Sequence, residues 1–285
     1  MIAVVGGTGF LGRHVVATLL QRGHPALVLA RKPPSGGLPP GALFRRADVT
    51  EEVPDLEGAE ALVYLPGIIR GSREAFYRTH VLGVENTLRA MRAHGVRRLV
   101  HISALGARRG TGSLYFETKA LAEEKVEGSG LDWTILRPSL VFGEGDGFFC
   151  GVLKPLARLP LPFMPLVGDG RYPFRPVYVG DVALAVARSL EEEFLGRLDL
   201  VGPKEYTLKE LYLLVQKALG VRKPLLPIPI PLLRLLAHLP FAPVSRDQLT
   251  MLLLGNTAPL PEALRALVPE LHSLEDLLPR YLQDC

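Results

Sequence analysis

The fold is decided by the start of the chain, where residues 1–12 read MIAVVGGTGFLG. The apolar run Met1–Val5 is typical of a buried β-strand, and Leu11–Arg22 carries apolar residues at helical spacing. A glycine-rich turn joins the two. This order of strand, glycine turn and helix predicts a β-α unit that opens a parallel α/β sheet.

The glycines of this turn have the spacing G-x-x-G-x-x-G, at positions 6, 9 and 12. The first allows a tight turn, the second lets the backbone approach a pyrophosphate, and the third lets the helix pack close to the strand. The helix N-terminus then presents backbone N–H groups and a positive dipole to the phosphates. We therefore expect dinucleotide binding by Gly6, Thr8, Gly9, Phe10, Leu11 and Gly12.

The remaining pattern predicts an α/β fold, a doubly wound parallel Rossmann sheet with a smaller, mostly helical C-terminal cap domain. Strand-like and helix-like segments alternate up to about residue 140, which implies βαβ units. After Pro138 prolines become frequent and the rhythm changes. We assign residues 1–140 to the dinucleotide-binding domain, with a return segment near 174–192, and residues 141–285 to the substrate or cap domain.

Composition excludes several classes of protein. The 285 residues include 48% hydrophobic and 22% charged residues, with a net charge of +4, so a disordered chain is excluded. No long basic run predicts nucleic-acid binding, and no His/Cys spacing predicts a metal site. The two cysteines, Cys150 and Cys285, exclude a disulfide scaffold. With no signal peptide or transmembrane run, we expect a cytoplasmic protein in a reducing compartment.

The end of the second predicted strand indicates which dinucleotide is bound. An NAD-preferring domain carries Asp or Glu there to accept a hydrogen bond from the ribose 2′-OH. This chain has Arg31 and Lys32 instead, which favour a 2′-phosphate and hence NADP(H), with NAD as the alternative. In the competing interpretation both cations are solvated surface charges. Asp48 and Val49, after the third strand, are placed beside the adenine.

Tyr115 and Lys119 lie four residues apart at the start of a predicted helix, and therefore on one face. A neighbouring ammonium favours the phenolate and would lower the pKa of the tyrosine from about 10. Such a pair can exchange a proton with a carbonyl or an alcohol while a nicotinamide exchanges hydride. The alternative is a core tyrosine beside a surface lysine.

On these residues the chain resembles an extended or atypical short-chain dehydrogenase/reductase of the NAD-dependent epimerase/dehydratase type. Within that family it is most similar to the subgroup of the nucleotide-binding accessory subunit of respiratory complex I. The matching stretches are Gly6–Gly12, Gly83–Asn86, Val100–Ala104, Tyr115–Lys119, Leu136–Ser139, Val141–Gly143 and Pro176–Asp181. Those closest to the subgroup are His101–Ala107, Asp132–Ser139, Ser245–Leu249 and Gly255–Asn256.

The resemblance implies roles for further residues and shows two departures. It implies that Lys119 also holds the nicotinamide ribose, and that the ring lies near Leu65, Pro66, Gly67 and Pro138. The family's catalytic set is Asn, Ser, Tyr and Lys. Here His80 stands at the Asn position, and the serine pair reads Ser103-Ala104, so Ser103 is the candidate serine one residue early. Ser113 can substitute for it or cap the helix.

Three functions follow as hypotheses. The first is a short-chain-type oxidoreductase with an unidentified carbonyl, alcohol or sugar-like small-molecule substrate. The second is a non-catalytic nucleotide-binding protein that senses redox state or supports assembly of a membrane complex. The third is a regulator that binds DNA-binding partner proteins in an NADP-dependent way. The apolar stretch Pro224–Pro243 either packs over an apolar substrate pocket or contacts a membrane peripherally. The oligomeric state is not predicted.

Overall fold

The computed structural model describes residues 1–34, 36–237, 244–283 and 285. The chain divides into two compact units, each built from three separate stretches of chain. Unit 1 comprises Met1–Pro138, Gly180–Leu200 and Pro261–Pro269, and unit 2 comprises Ser139–Val179, Val201–Leu260 and Glu270–Cys285.

Unit 1 contains a seven-stranded sheet in which every neighbouring pair of strands is parallel. Its strands are β1 (Ile2–Val5), β2 (Ala26–Ala30), β3 (Ala42–Arg46), β4 (Ala61–Tyr64), β5 (Arg98–Ile102), β6 (Asp132–Pro138) and β11 (Gly196–Leu200). The strand order is β11-β6-β5-β4-β1-β2-β3. This is the doubly wound arrangement of a Rossmann fold, so the predicted fold class is confirmed.

Helices flank this sheet. They are α1 (Phe10–Gln21), α2 (Arg73–Tyr77), α3 (Gly83–Ala93), α4 (Leu114–Glu127), α6 (Val179–Glu191) and α10 (Glu262–Leu267), with a π-helical turn at Arg78–Leu82. On one face Leu27 and Leu99 of the strands share a buried cluster with Leu88 of α3 and Val126 of α4. Burial of these alternating strand residues holds both helices on that face.

Unit 2 is largely helical, with short two-stranded pairings. Its strands are β7 (Val141–Phe142), β8 (Met164–Val167), β9 (Pro173–Phe174), β10 (Val177–Tyr178), β12 (Tyr206–Thr207) and β13 (Leu225–Ile228). Its helices are α5 (Lys154–Arg158), α7 (Leu208–Leu219), α8 (Ile230–Leu236), α9 (Arg246–Leu254) and α11 (Leu274–Tyr281). A capping box of Thr207 and Glu210 starts α7, and Gly220 ends the helix in the left-handed conformation.

A buried carboxylate and a disulfide hold the last helix of unit 2. Asp146 accepts hydrogen bonds from the backbone N–H of Phe149 and from the Tyr281 hydroxyl, the latter at 3.0 Å. Cys150 and Cys285 form a disulfide, with their Cα atoms 5.9 Å apart. From the sequence we expected a reducing compartment and no disulfide scaffold, so this bridge corrects the prediction. A separation of 135 residues gave no sign that the fold would bring the two thiols within bonding range.

The predicted return segment, 174–192, starts too early and is incomplete. β9 and β10 pair with β12 and β7 inside unit 2, whereas the return to unit 1 runs from Gly180 to Leu200. Its strand, β11, alternates apolar and polar residues at the edge of the sheet and therefore lacks the apolar run of a central strand. Arg98 anchors the return segment by donating hydrogen bonds to the carbonyls of Ser189 (2.7 Å) and Phe194 (2.9 Å).

Within the described residues, no helix is both long enough and apolar enough to cross a lipid bilayer.

Replacing Gly12 with alanine would press a methyl group into the backbone of the glycine turn. A Cβ at Gly12 would lie 2.7 Å from the carbonyl carbon of Gly7, closer than real Cβ atoms approach. We expect Gly12→Ala to lower the free energy of unfolding by about 1–3 kcal/mol in urea titrations, because overpacking must shift the backbone. Gly147→Ala is the matched control, since a Cβ there meets no atom within 4 Å. Equal losses in the two variants would contradict this account.

Candidate functional site

The parallel sheet of unit 1 brings the predicted site residues to a single edge. Each of the first six strands ends there, and β1 and β4 are neighbours from which the chain winds in opposite directions. Ligands of doubly wound sheets bind at this switch point, beyond the carboxyl ends of the strands. The predicted residues at or directly after these strand ends are Gly6, Arg31, Lys32, Asp48, Val49, Leu65, Pro66, Gly67, Ser103 and Pro138.

The glycine turn has the backbone geometry that its spacing predicts. Gly6 has φ +78°, its N–H donates to the Leu29 carbonyl at 2.8 Å, and a Cβ on it would lie 3.4 Å from the Pro66 ring. Gly9 is the N-cap of α1, no side chain caps this helix, and its first turn contains no acidic residue. The positive end of the α1 dipole is therefore not offset by a local carboxylate, which suits a pyrophosphate. Thr8, Phe10 and Leu11 complete this turn.

The side chains predicted to choose the dinucleotide lie after β2 and β3. Arg31 and Lys32 directly follow β2, and both are exposed. Asp48 is already engaged, because its Oδ1 accepts hydrogen bonds from the Thr50 N–H (3.0 Å) and the Thr50 hydroxyl (2.7 Å). The neighbouring Val49 is buried. The edge beside β2 therefore offers two cations and no carboxylate directly after the strand.

Lys119 is a buried ammonium that joins α4 to the ends of two strands. Its Nζ donates to the Ile102 carbonyl at 2.9 Å and to the Pro66 carbonyl at 3.3 Å. A Cβ at Gly67 would lie 3.3 Å from this Nζ, so glycine keeps the approach open. Burial lowers the pKa of Lys119 to about 8, opposed by the negative charge of Glu123.

His80, at the position where the family has Asn, fastens the loop after β4 to α4. Its Nε2 accepts the Ile68 N–H at 3.0 Å, so its Nδ1 carries the proton and donates to the Thr118 hydroxyl at 2.7 Å. The Thr118 hydroxyl donates its own proton to the Leu114 carbonyl at 2.6 Å. Burial, and secondarily the charge of Lys119, lowers the pKa of His80 to about 2. His80 is thus a neutral positioning residue.

Tyr115 lies in the first turn of α4, one turn before Lys119, and its ring meets that of His80 edge-on at 5.6 Å between centroids. Burial raises the pKa of Tyr115 to about 12. This corrects the expectation that the neighbouring ammonium lowers it, because loss of solvation of the phenolate is the dominant influence here. Ser113 was predicted either to replace the catalytic serine or to cap a helix. It is the N-cap of α4, where its hydroxyl oxygen accepts a hydrogen bond from the Phe116 N–H.

The buried His101 on β5 is a polar residue that the sequence prediction missed, and the predicted Ser103 lies buried just after the same strand. His101 stacks on Tyr64 with 5.5 Å between ring centroids, and burial lowers its pKa well below the usual range. Among the residues that the structure describes, neither His101 ring nitrogen nor the Ser103 hydroxyl has a hydrogen-bond partner. The only signal in the sequence was a histidine inside an apolar strand, Leu99-Val100-His101-Ile102. Ala104, where the family places the second serine, is buried and carries no hydroxyl.

Comparison with known proteins agrees with this geometry. The family model for an NAD(P)H-binding domain matches residues 6–147, which run from the glycine turn past Tyr115 and Lys119. The chain is an NAD(P)-binding protein of the extended, epimerase-like short-chain dehydrogenase/reductase family.

Two curated relatives illustrate the range of proteins that share this sequence pattern. A protein named ceramide reductase from Caulobacter vibrioides is 29% identical over 81% of this chain and 74% of its own length. The mitochondrial NADH dehydrogenase [ubiquinone] 1 alpha subcomplex subunit 9 of Arabidopsis thaliana is 30% identical over 73% of this chain. The match spans only about half, 55%, of the plant protein's length.

The fold is also that of solved epimerases. The UDP-glucose 4-epimerase of Thermus thermophilus, crystallised with NAD, superposes with a TM-score of 0.74 over 100% of this chain and 99% of its own. Its sequence identity is 22%, so this likeness supports the fold alone.

The burial of Lys119 predicts a specific dependence of stability on pH. Its pKa of about 8 in the folded protein lies below the ordinary value of 10.5, so between these values the unfolded chain binds the extra proton. Stability should therefore rise with pH across this window. Between pH 8 and pH 10.5, the free energy of unfolding of wild type should rise by roughly 3 kcal/mol relative to that of Lys119→Met, as measured by urea titration.

The control for this series is Lys217→Met, which removes an exposed lysine. It should keep the wild-type rise with pH. A Lys119→Met profile parallel to that of wild type would refute the assignment of a buried ammonium to Lys119.

Proposed function

We propose that the chain is an NADP(H)-dependent oxidoreductase that acts on an apolar carbonyl or the corresponding alcohol. The observation that carries this proposal is the buried Lys119 ammonium, held by two strand-end carbonyls one helical turn from Tyr115. In this proposal the two side chains form a proton-transfer pair at the edge of the unit 1 sheet that carries the glycine turn. The ceramide reductase among the relatives supports a carbonyl of lipid character, with sugar-like substrates as the alternative suggested by the epimerase fold.

The preference for NADP(H) rests on charge at the end of β2. Arg31 and Lys32 are exposed cations where an NAD-preferring domain carries a carboxylate. A guanidinium can form a bidentate pair of hydrogen bonds with the 2′-phosphate of NADP(H), which the ribose 2′-hydroxyl of NAD(H) cannot form. When bound, the dinucleotide supplies or accepts the hydride, and the turn Gly6–Gly12 would hold its pyrophosphate.

Tyr115 acts as the acid for carbonyl reduction. With its pKa raised to about 12, the phenol is protonated at neutral pH, which is the form that can donate to a carbonyl oxygen. The Lys119 ammonium, with a pKa of about 8, is the nearby acid from which the phenolate left after the transfer regains its proton. His80 keeps the loop after β4 in place while this happens, through its bond to the Ile68 N–H.

Arg31→Asp tests the choice of dinucleotide. Loss of a charge-assisted contact and addition of a repelling carboxylate should weaken NADPH binding by about tenfold to a hundredfold, since such contacts contribute about 1.5–3 kcal/mol. NADH binding should change far less. The measurement is fluorescence titration with both nucleotides, and Arg265→Asp, which reverses an exposed arginine on α10, is the control. An equal loss for both nucleotides would contradict the phosphate role.

Tyr115→Phe tests turnover. Removing the phenolic proton should lower the rate of NADPH oxidation with apolar ketones by at least about a hundredfold. NADPH binding should persist, because the glycine turn is untouched. Tyr77→Phe is the matched control, since Tyr77 is an exposed tyrosine on α2. Turnover that survives Tyr115→Phe would reject Tyr115 as the acid.

The second candidate function is nucleotide binding without turnover, in a redox-sensing or assembly role. It is favoured by His80, a neutral side chain whose two nitrogens are both engaged where the family has Asn, and by Ala104 in place of the second serine. The similarity to a complex I subunit supports it as well. Robust turnover of any carbonyl substrate that depends on Tyr115 would exclude this alternative.

A further inference from the structure

We propose that α8 of unit 2 docks on the surface of a lipid bilayer that contains anionic lipids. The helix has the sequence IPLLRLL over Ile230–Leu236, and none of its residues is fully buried. Leucine on an exposed helix is common singly, but here three of them are gathered on one side. A contiguous apolar patch of this kind on a protein surface marks an interaction site.

The two sides of α8 differ in what they contact. Ile230 and Leu233 pack against the buried cluster of unit 2 and fix the helix to its core. Leu232, Leu235 and Leu236 point away from that cluster, with 45%, 67% and 40% of their surfaces exposed. Their spacing of three and four residues places them side by side on the outer face of the helix.

The preceding strand extends the same apolar character. Leu226 on β13 is 43% exposed, and the adjoining Pro227 is also exposed. Only one residue, Pro229, separates β13 from α8. The outer face of α8 thus continues a run of exposed apolar residues that begins at β13.

Charge identifies the surface that this face fits. Residues 217–260 contain five basic residues and a single acidic one, Asp247, which gives this stretch a net charge of +4. That equals the net charge of the entire chain, so the other 241 residues are neutral in sum. The basic residues of the stretch are Lys217, Arg222, Lys223, Arg234 and Arg246. Exposed leucines within a basic stretch of chain match the headgroup region of an anionic membrane.

A bilayer suits this face better than a protein partner does. The exposed positions of α8 are leucine, proline and one arginine, with none of the tyrosine or tryptophan side chains that anchor many protein interfaces. At seven residues the helix is too short to cross a membrane, so it would lie along the surface. The apolar stretch Pro224–Pro243 continues beyond α8, but its last part, His238–Pro243, lies outside the described residues.

The experiment is co-flotation of the full chain with vesicles of equimolar phosphatidylglycerol and phosphatidylcholine, or of phosphatidylcholine alone. We expect wild type to float with the anionic vesicles at low salt, and far less with the neutral ones. The triple variant Leu232→Ser/Leu235→Ser/Leu236→Ser should lose at least about tenfold of this binding. Arg222→Gln/Arg234→Gln should lose about tenfold on anionic vesicles and nothing on neutral ones.

The matched control is Leu43→Ser/Leu195→Ser, which removes two leucines of unit 1 that are similarly exposed, at 59% and 58%. It should float like wild type. Circular dichroism and NADPH titration verify that each variant is folded, and they make this test independent of the proposed enzymatic function. The proposal is overturned if wild type does not float, or if the triple variant floats like wild type. It is also overturned if light scattering shows a dimer that the triple variant dissociates, because the face would then bind a second copy.

Discussion

The site of unit 1 depends on one buried charge, the ammonium of Lys119. A charge can be kept in the interior only where hydrogen-bond acceptors surround it, and here the carbonyls of Pro66 and Ile102 serve that purpose. Those carbonyls lie just beyond β4 and at the end of β5, so the same contact that solvates the lysine also sets the register of α4 against two neighbouring strands. Because Tyr115 lies one turn earlier on α4, the same contact also fixes the position of Tyr115.

Burial sets a different protonation state for each of three side chains at the site. Burial removes water from the lysine, the tyrosine and His80 together, and in each case it disfavours the charged form. The histidine is neutral and locked by two hydrogen bonds, whereas the phenol keeps its proton and the ammonium is poised near neutral pH. Of these three side chains, the tyrosine and the lysine keep a proton that can be exchanged near neutral pH or above, and the histidine supplies rigidity.

Local patterns in the sequence predicted most of unit 1 and only part of the site. The glycine turn, the parallel strands and the Tyr115–Lys119 pair follow from spacings of a few residues, for which sequence is informative. The Ile68–His80–Thr118 chain of hydrogen bonds, and the stack of His101 on Tyr64, join residues 12 to 38 positions apart. Such contacts are decided by packing. The edge strand β11 was missed because apolar and polar residues alternate along it, so it has no apolar run to detect.

Each unit consists of three separate stretches of chain, which limits how either unit can be replaced by protein engineering. The sheet unit is assembled from residues 1–138, 180–200 and 261–269, so the polypeptide leaves it and returns twice. A fragment cut after Pro138 would lack β11 and leave the whole edge of β6 unpaired, which invites aggregation. The two units therefore cannot be exchanged between relatives by a single crossover. A chimaera that carries the unit 2 of a relative would have to graft three separate segments and preserve every junction between them at once.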